Sequence, residues 1–244
     1  MIKEIEQLLF SKWETSDNFD LFVKDGVFDE DEWCKQPVKI LFVLKEANFK
    51  TDKTEKCAVD KELSINNFGN DLCKYLLSQK SPTYWKTWNN VVRWTQAIRD
   101  GGEYQRYVSK EDKSKCLKTI AALNVKKEAG GATANAEEIT AFGKKHACYI
   151  RKQINLYQPD IIVCCGYGNA NTADIICNNV LNNKSDKQKT TNGYNYYLCN
   201  LCSGKQVPVL SFQHPQMRGG HAAFEKSYND MLEIASEFKK LNII

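Results

Sequence analysis

The residues best suited to chemistry sit at the ends of short apolar runs. Val209-Leu210-Ser211-Phe212 reads as a buried strand, and Gln213-His214-Pro215 stops it, because proline cannot donate to a sheet ladder. An imidazole there can donate to an oxygen that gains negative charge as a bond breaks, or simply cap a strand-to-helix turn. Met217, Arg218, Gly219 and Gly220 follow, before a helix that starts near His221. An apolar residue beside an arginine can wedge into a base stack while the arginine holds phosphate; Met217 can equally pack under its own loop. A second apolar run, Val38–Leu44, leads into Lys45-Glu46-Ala47-Asn48-Phe49. A carboxylate at a strand end can orient or activate water, or close a salt bridge. Phe49 can stack on a planar ligand or join the core. The third run, Thr119–Val125, carries Asn124. Its amide has both donors and acceptors for the edge of a base, and it can also bond to the backbone of a turn.

These residues need a scaffold that brings strand ends together. The chain alternates apolar strands at 38–44, 119–125, 160–165 and 207–212 with helical patterns at 64–80, 84–99, 135–157, 169–182 and 221–240. A helix is expected at 2–14, an irregular acidic stretch at 15–37 and an additional strand or hairpin arm at 194–201. The aromatics Tyr84, Trp85, Trp88 and Trp94 read as core rather than a stacking surface. The alternation predicts an α/β fold, a three-layer α/β/α sandwich around a mostly parallel central sheet. One domain over 1–244 is expected, with 1–37 as an N-terminal extension. Ligands bind outside the carboxyl ends of such strands. The loops 45–49, 124–131 and 213–220 should therefore share one rim.

Composition narrows the function classes. A hydrophobic fraction of 42% supports a sizeable core. No apolar run approaches the roughly 20 residues of a membrane span, and the charged, amphipathic start does not resemble a secretory signal. A cytoplasmic protein is expected, with no membrane partner. The 10 cysteines read as reduced core thiols, and the single Cys199-Asn-Leu-Cys202 pair lacks the second pair of a metal site. The net charge of +4 permits nucleic-acid binding without arguing for it, and lysine clusters such as Lys126-Lys127 usually form solvated faces.

Together the motifs resemble the uracil-DNA glycosylase superfamily over about residues 38–225. Ile40–Asn48 is similar to its first motif, a strand followed by a water-positioning loop, in the form where glycine, glutamate, alanine and proline follow the strand. Ile120–Lys127 resembles the strand whose asparagine reads the flipped base. Gln158-Pro159-Asp160-Ile161-Ile162-Val163-Cys164-Cys165-Gly166 resembles the strand that closes on glycine. Phe212-Gln213-His214-Pro215 is similar to the histidine-proline motif, and Met217-Arg218-Gly219-Gly220 to the minor-groove loop. The chain departs from the pattern at Lys45 (usually glycine), at Asn48 (usually proline or glycine) and at Gln216 (commonly serine). Cys34 stands alone where the iron–sulfur branches have paired cysteines, so no cluster, metal or other cofactor is expected.

The resemblance implies base flipping and hydrolysis of the N-glycosidic bond of uracil or another altered pyrimidine in DNA, in repair or in defence against foreign modified DNA. The sugar then passes through an oxocarbenium-like state, by analogy with glycoside hydrolysis. His214, Glu46 and Asn48 become the catalytic residues, with His214 as neutral donor to the base and Glu46 holding water. Asn124 and Phe49 would bind the base. Met217, Arg218, Gly219, Gly220, Lys126, Lys127 and Gly166 would contact DNA. The partner is single- or double-stranded DNA, and a monomer is expected. Two other readings stay open: a non-catalytic DNA-binding module of the same fold, and an N-glycosidase acting on free nucleosides or nucleotides.

Overall fold

The computed structural model describes residues 1–48, 71–78, 86–130, 134–168, 170–183 and 185–244. Among the described residues seven strands form one sheet: β1 (Gly26–Val27), β2 (Ile40–Asn48), β3 (Ala121–Gly130), β4 (Ile161–Cys165), β5 (Gln188–Lys189), β6 (Asn195–Asn200) and β7 (Gln206–Phe212). Their spatial order is β1-β3-β2-β4-β7-β6-β5. The four central strands β3, β2, β4 and β7 run parallel, and β1, β6 and β5 are antiparallel additions at the edges. The predicted α/β class and mostly parallel sheet are therefore present.

The central strands are apolar on both faces because helices cover both. Leu41, Val43, Leu123, Val125, Ile162 and Val209 face one layer. That layer holds α1 (Ile2–Glu14), α2 (Glu30–Cys34), α6 (Ala136–Lys145), α7 (Ala147–Tyr157) and α8 (Thr172–Asp174), which continues as a π-helical turn over Ile175–Val180. Phe42, Leu44, Ala122, Val163, Leu210 and Phe212 face the other. There lie α3 (Leu72–Leu77), α4 (Lys86–Arg99), α5 (Lys110–Lys118) and α9 (Gly220–Lys240). Trp88 and Trp94 of α4 are core residues, as expected, and Trp94 Nε1 donates to Ser227 Oγ at 2.9 Å. Tyr84 and Trp85 lie outside the described residues.

Three sequence-based boundaries change. The strand expected at 119–125 continues to Gly130, so much of the predicted 124–131 loop is sheet. The helix expected over 135–157 is two helices, divided at His146, whose backbone N–H closes α6 on Phe142 O. Its buried ring accepts from Trp13 Nε1 at 3.1 Å, an inward role that a solvent-facing helix position would not provide. The stretch 15–37 is not wholly irregular. It contains α2, capped by the Asp29 carboxylate accepting from Glu32 N–H, and the edge strand β1, too short for a two-residue period to reveal. Glu6 Oε1 and Tyr157 Oη would lie 2.0 and 2.3 Å from a Cβ at Gly26, whose φ is +117°, so only glycine fits there.

Candidate active site

Because β3, β2, β4 and β7 are parallel, their carboxyl ends share one edge of the sheet. The edge carries Gly130, Asn48, Gly166 and Gln213-His214. Gly166 N–H donates to Phe212 O at 2.8 Å, extending the β4–β7 pairing to the point where His214 leaves the sheet.

His214 is held by the turn that follows it. Met217 N–H donates to His214 O at 3.0 Å, with Pro215 in the position where its fixed φ favours a tight turn. Gln216 N–H donates to His214 Nδ1 at 3.2 Å. A ring nitrogen that accepts a hydrogen bond carries no proton, so in the neutral ring the proton sits on Nε2. Desolvation by the surrounding protein lowers the His214 pKa below the usual histidine value although the residue remains solvent-exposed, and the nearby Lys45 ammonium pushes in the same direction. His214 is thus a neutral Nε2–H donor at neutral pH. Its ring and the Lys45 side chain lie against the same glycine: a Cβ at Gly166 would be 3.3 Å from Lys45 Cε and 3.5 Å from His214 Cδ2. Lys45, a departure from the resembled motif, is therefore the charged group beside the histidine.

Glu46 reaches the other way, across β3. Its carboxylate is 3.6 Å from Lys126 Nζ, which also donates to Glu138 at 3.0 Å. Only 6% of the Glu46 side chain is exposed. Burial raises its pKa, and the Lys126 charge opposes that rise. The adjacent residues Lys45 and Glu46 are thus split between two centres, one at Gly166 and His214, the other at Gly130 and Lys126.

Asn124 lies inside the sheet rather than on a rim loop, and is 1% exposed. The Asp25 carboxylate accepts from its backbone N–H at 2.7 Å and more weakly from its Nδ2 at 3.4 Å. A carboxylate only accepts, so it fixes the amide nitrogen towards itself. Asn124 Oδ1 is buried with no hydrogen-bond partner among the described residues. The same Asp25 binds Lys127 Nζ at 2.6 and 2.7 Å and Gln153 Nε2 at 2.8 Å.

Lys127 corrects the expectation of a DNA contact. It is 0% exposed and its ammonium lies over the rings of Phe10 and Trp13, so it is an internal cation that no phosphate can reach. Lys126 is tied up by Glu46 and Glu138. Met217 is half-buried against the core layer of α4 and α9 rather than projecting freely. Arg218, Gly219 and Gly220 are exposed. Gly219 has φ +111°, and a Cβ there would come within 2.7 Å of Ala223 Cβ, so glycine permits the tight entry into α9. Asn48 ends β2, its backbone paired with Gly130. Phe49 lies outside the described residues.

Sequence reasoning missed Asp25, Gly130, Asn90 and Arg93. Asn90 Nδ2 donates to Pro215 O at 2.7 Å, and Arg93 Nη1 donates to Asn90 Oδ1 at 2.7 Å. The signal available was a pair of polar residues three apart on the apolar face of α4. Of the CxxC pair, Cys199 is buried with its sulfur 3.3 Å from Cys177 Sγ, and Cys202 is exposed. Among the described residues no three His, Cys, Asp or Glu side chains converge as metal ligands, and no helix is long and apolar enough to cross a membrane. In comparisons with known proteins, no family model matches the sequence and no curated protein matches it.

Proposed function

We propose that this chain is a DNA glycosylase of the uracil-DNA glycosylase superfamily, hydrolysing the N-glycosidic bond of uracil or another altered pyrimidine. The observation that carries the reading is the state of His214: a neutral imidazole, Nδ1 engaged by Gln216 N–H and Nε2–H left to donate, at the carboxyl end of a central parallel strand. A departing pyrimidine leaves as an anion. A preorganised neutral donor stabilises that charge without first losing a proton. The Lys45 charge beside it favours the same anion. Asn124 Oδ1, which has no partner among the described residues, would accept from an N–H of the flipped base once the side chains that bury it move aside. Glu46 would offset positive charge on the sugar and orient the attacking water. The test is incubation with oligonucleotides carrying different altered bases, followed by alkaline cleavage at abasic sites. Release of none of them removes the reading.

One observation favours a second reading. Met217 packs against the core. A loop without a projecting wedge suits a substrate that needs no base pair opened, namely single-stranded DNA or a free nucleotide. Assaying duplex, single strand and nucleotide side by side separates these.

A further inference from the structure

Beside the His214 loop runs an irregular stretch, Tyr104–Tyr107, that is fixed in place although it has no regular secondary structure. The buried guanidinium of Arg93 donates to Gln105 O at 2.9 Å through Nε and to Arg106 O at 2.7 Å through Nη2. Its third link is to Asn90, which holds the Pro215 carbonyl. Two side chains of α4 therefore tie the stretch and the histidine loop to one support. Arg93 also stacks under the Tyr104 ring, 5.2 Å from its centroid, and Tyr104 Oη lies 3.3 Å from His221 Nδ1.

What this scaffold presents outward is an aromatic and cationic set. Tyr107 is 77% exposed on this anchored segment. The Arg106 guanidinium stands 5.7 Å over the Tyr107 ring, and the His221 ring meets Tyr107 edge-on at 5.9 Å. Arg218 is exposed on the loop just before His221. Rings that accept stacked bases, with arginines for the phosphates between them, are how proteins hold single-stranded nucleic acid.

We propose that Tyr104–Tyr107, with Arg218 and His221, forms a second nucleic-acid contact that stacks a nucleotide flanking the one held at His214. The inference deepens the glycosylase reading and rests on DNA being the ligand. Tyr107 supplies the stacking face and Arg106 a phosphate contact.

The test is fluorescence anisotropy of a labelled 12-mer oligothymidylate with the full chain and its variants. Tyr107→Ala is expected to weaken binding about 10-fold, the scale of one lost base–aromatic stack. Tyr107→Phe, which keeps the ring, should restore it. Arg106→Ala should lower the slope of log affinity against log salt by about one phosphate contact. Tyr107 is exposed, so its loss should leave the thermal melt unchanged. Wild-type affinity in Tyr107→Ala, or no binding of the oligonucleotide by the wild-type chain, overturns the proposal. Ring-dependent binding in a chain that releases no altered base supports this contact while removing the glycosylase reading.

Discussion

The Glu46 carboxylate lies directly over the Cα of Gly130, so that a methyl group there would come within 1.9 Å of Glu46 Cδ. Two neighbouring strand ends are thereby fitted to each other: β3 gives up a side chain where β2 places a buried anion. Gly130→Ala must displace the carboxylate from its present position without altering any exposed surface. Single-turnover excision should fall in this variant, with oligonucleotide affinity close to wild type. Glu46→Gln, which keeps the shape and removes the charge, should slow excision at least as much. A fully active Glu46→Gln would reduce Glu46 to a salt-bridge residue.

His214→Ala removes the preorganised donor and should reduce excision by about 100-fold or more. Binding should change little, since the imidazole acts on the departing base. Single-turnover kinetics beside anisotropy distinguish the two effects.

The Lys45 charge makes His214 harder to protonate, so Lys45→Met should raise the His214 pKa towards the ordinary histidine value. NMR titration of the His214 ring reads this directly. An unchanged midpoint would show that desolvation alone holds it down.

His146 and His214 both have lowered pKa values, His146 principally through burial and the exposed His214 through partial desolvation and the Lys45 charge. For each, the unfolded chain takes up a proton at a higher pH than the folded one. Stability is then intact above the ordinary histidine value of about 6.5 and is lost as the pH falls below it. Urea midpoints should drop between pH 7 and pH 5.5, and His146→Gln should diminish the drop.

Asp25→Ala should be the most damaging single change in the interior. It strands the Lys127 ammonium in a fully buried site, at a cost of about 3–5 kcal/mol in chemical denaturation. Asp25→Asn retains an acceptor for the Asn124 N–H while removing the charge, and its loss should be smaller. A wild-type urea midpoint in Asp25→Ala would mean that the Lys127 pair is dispensable.

The periodicity of apolar runs was enough to read the parallel core, because strands covered on both faces are continuously apolar. The same signal failed at β3 beyond Val125. There Lys126, Lys127 and Glu128 look like the start of a loop, yet the partners that let a lysine enter the interior, Asp25 and the rings of Phe10 and Trp13, are far away in sequence. His214 was legible from the proline that follows it. Its protonation state was not, because that depends on a backbone N–H and on the folded position of Lys45. Arg93 and Asn90 were hidden within an aromatic helix, where composition suggests only core.

Helix α1 is connected to the centre of the sheet by a continuous run of polar contacts. Tyr157 Oη donates to Glu6 at 2.6 Å, Gln153 Nε2 contacts Tyr157 Oη at 2.7 Å and donates to Asp25 at 2.8 Å, and Asp25 accepts from Asn124. Residues 2–14 are thus a structural strut. A shortened version beginning after Glu14 would leave Tyr157 and Val27 N–H without their acceptor, and the slack would propagate to the amide of Asn124. Anyone engineering a minimal form of this protein should trim elsewhere.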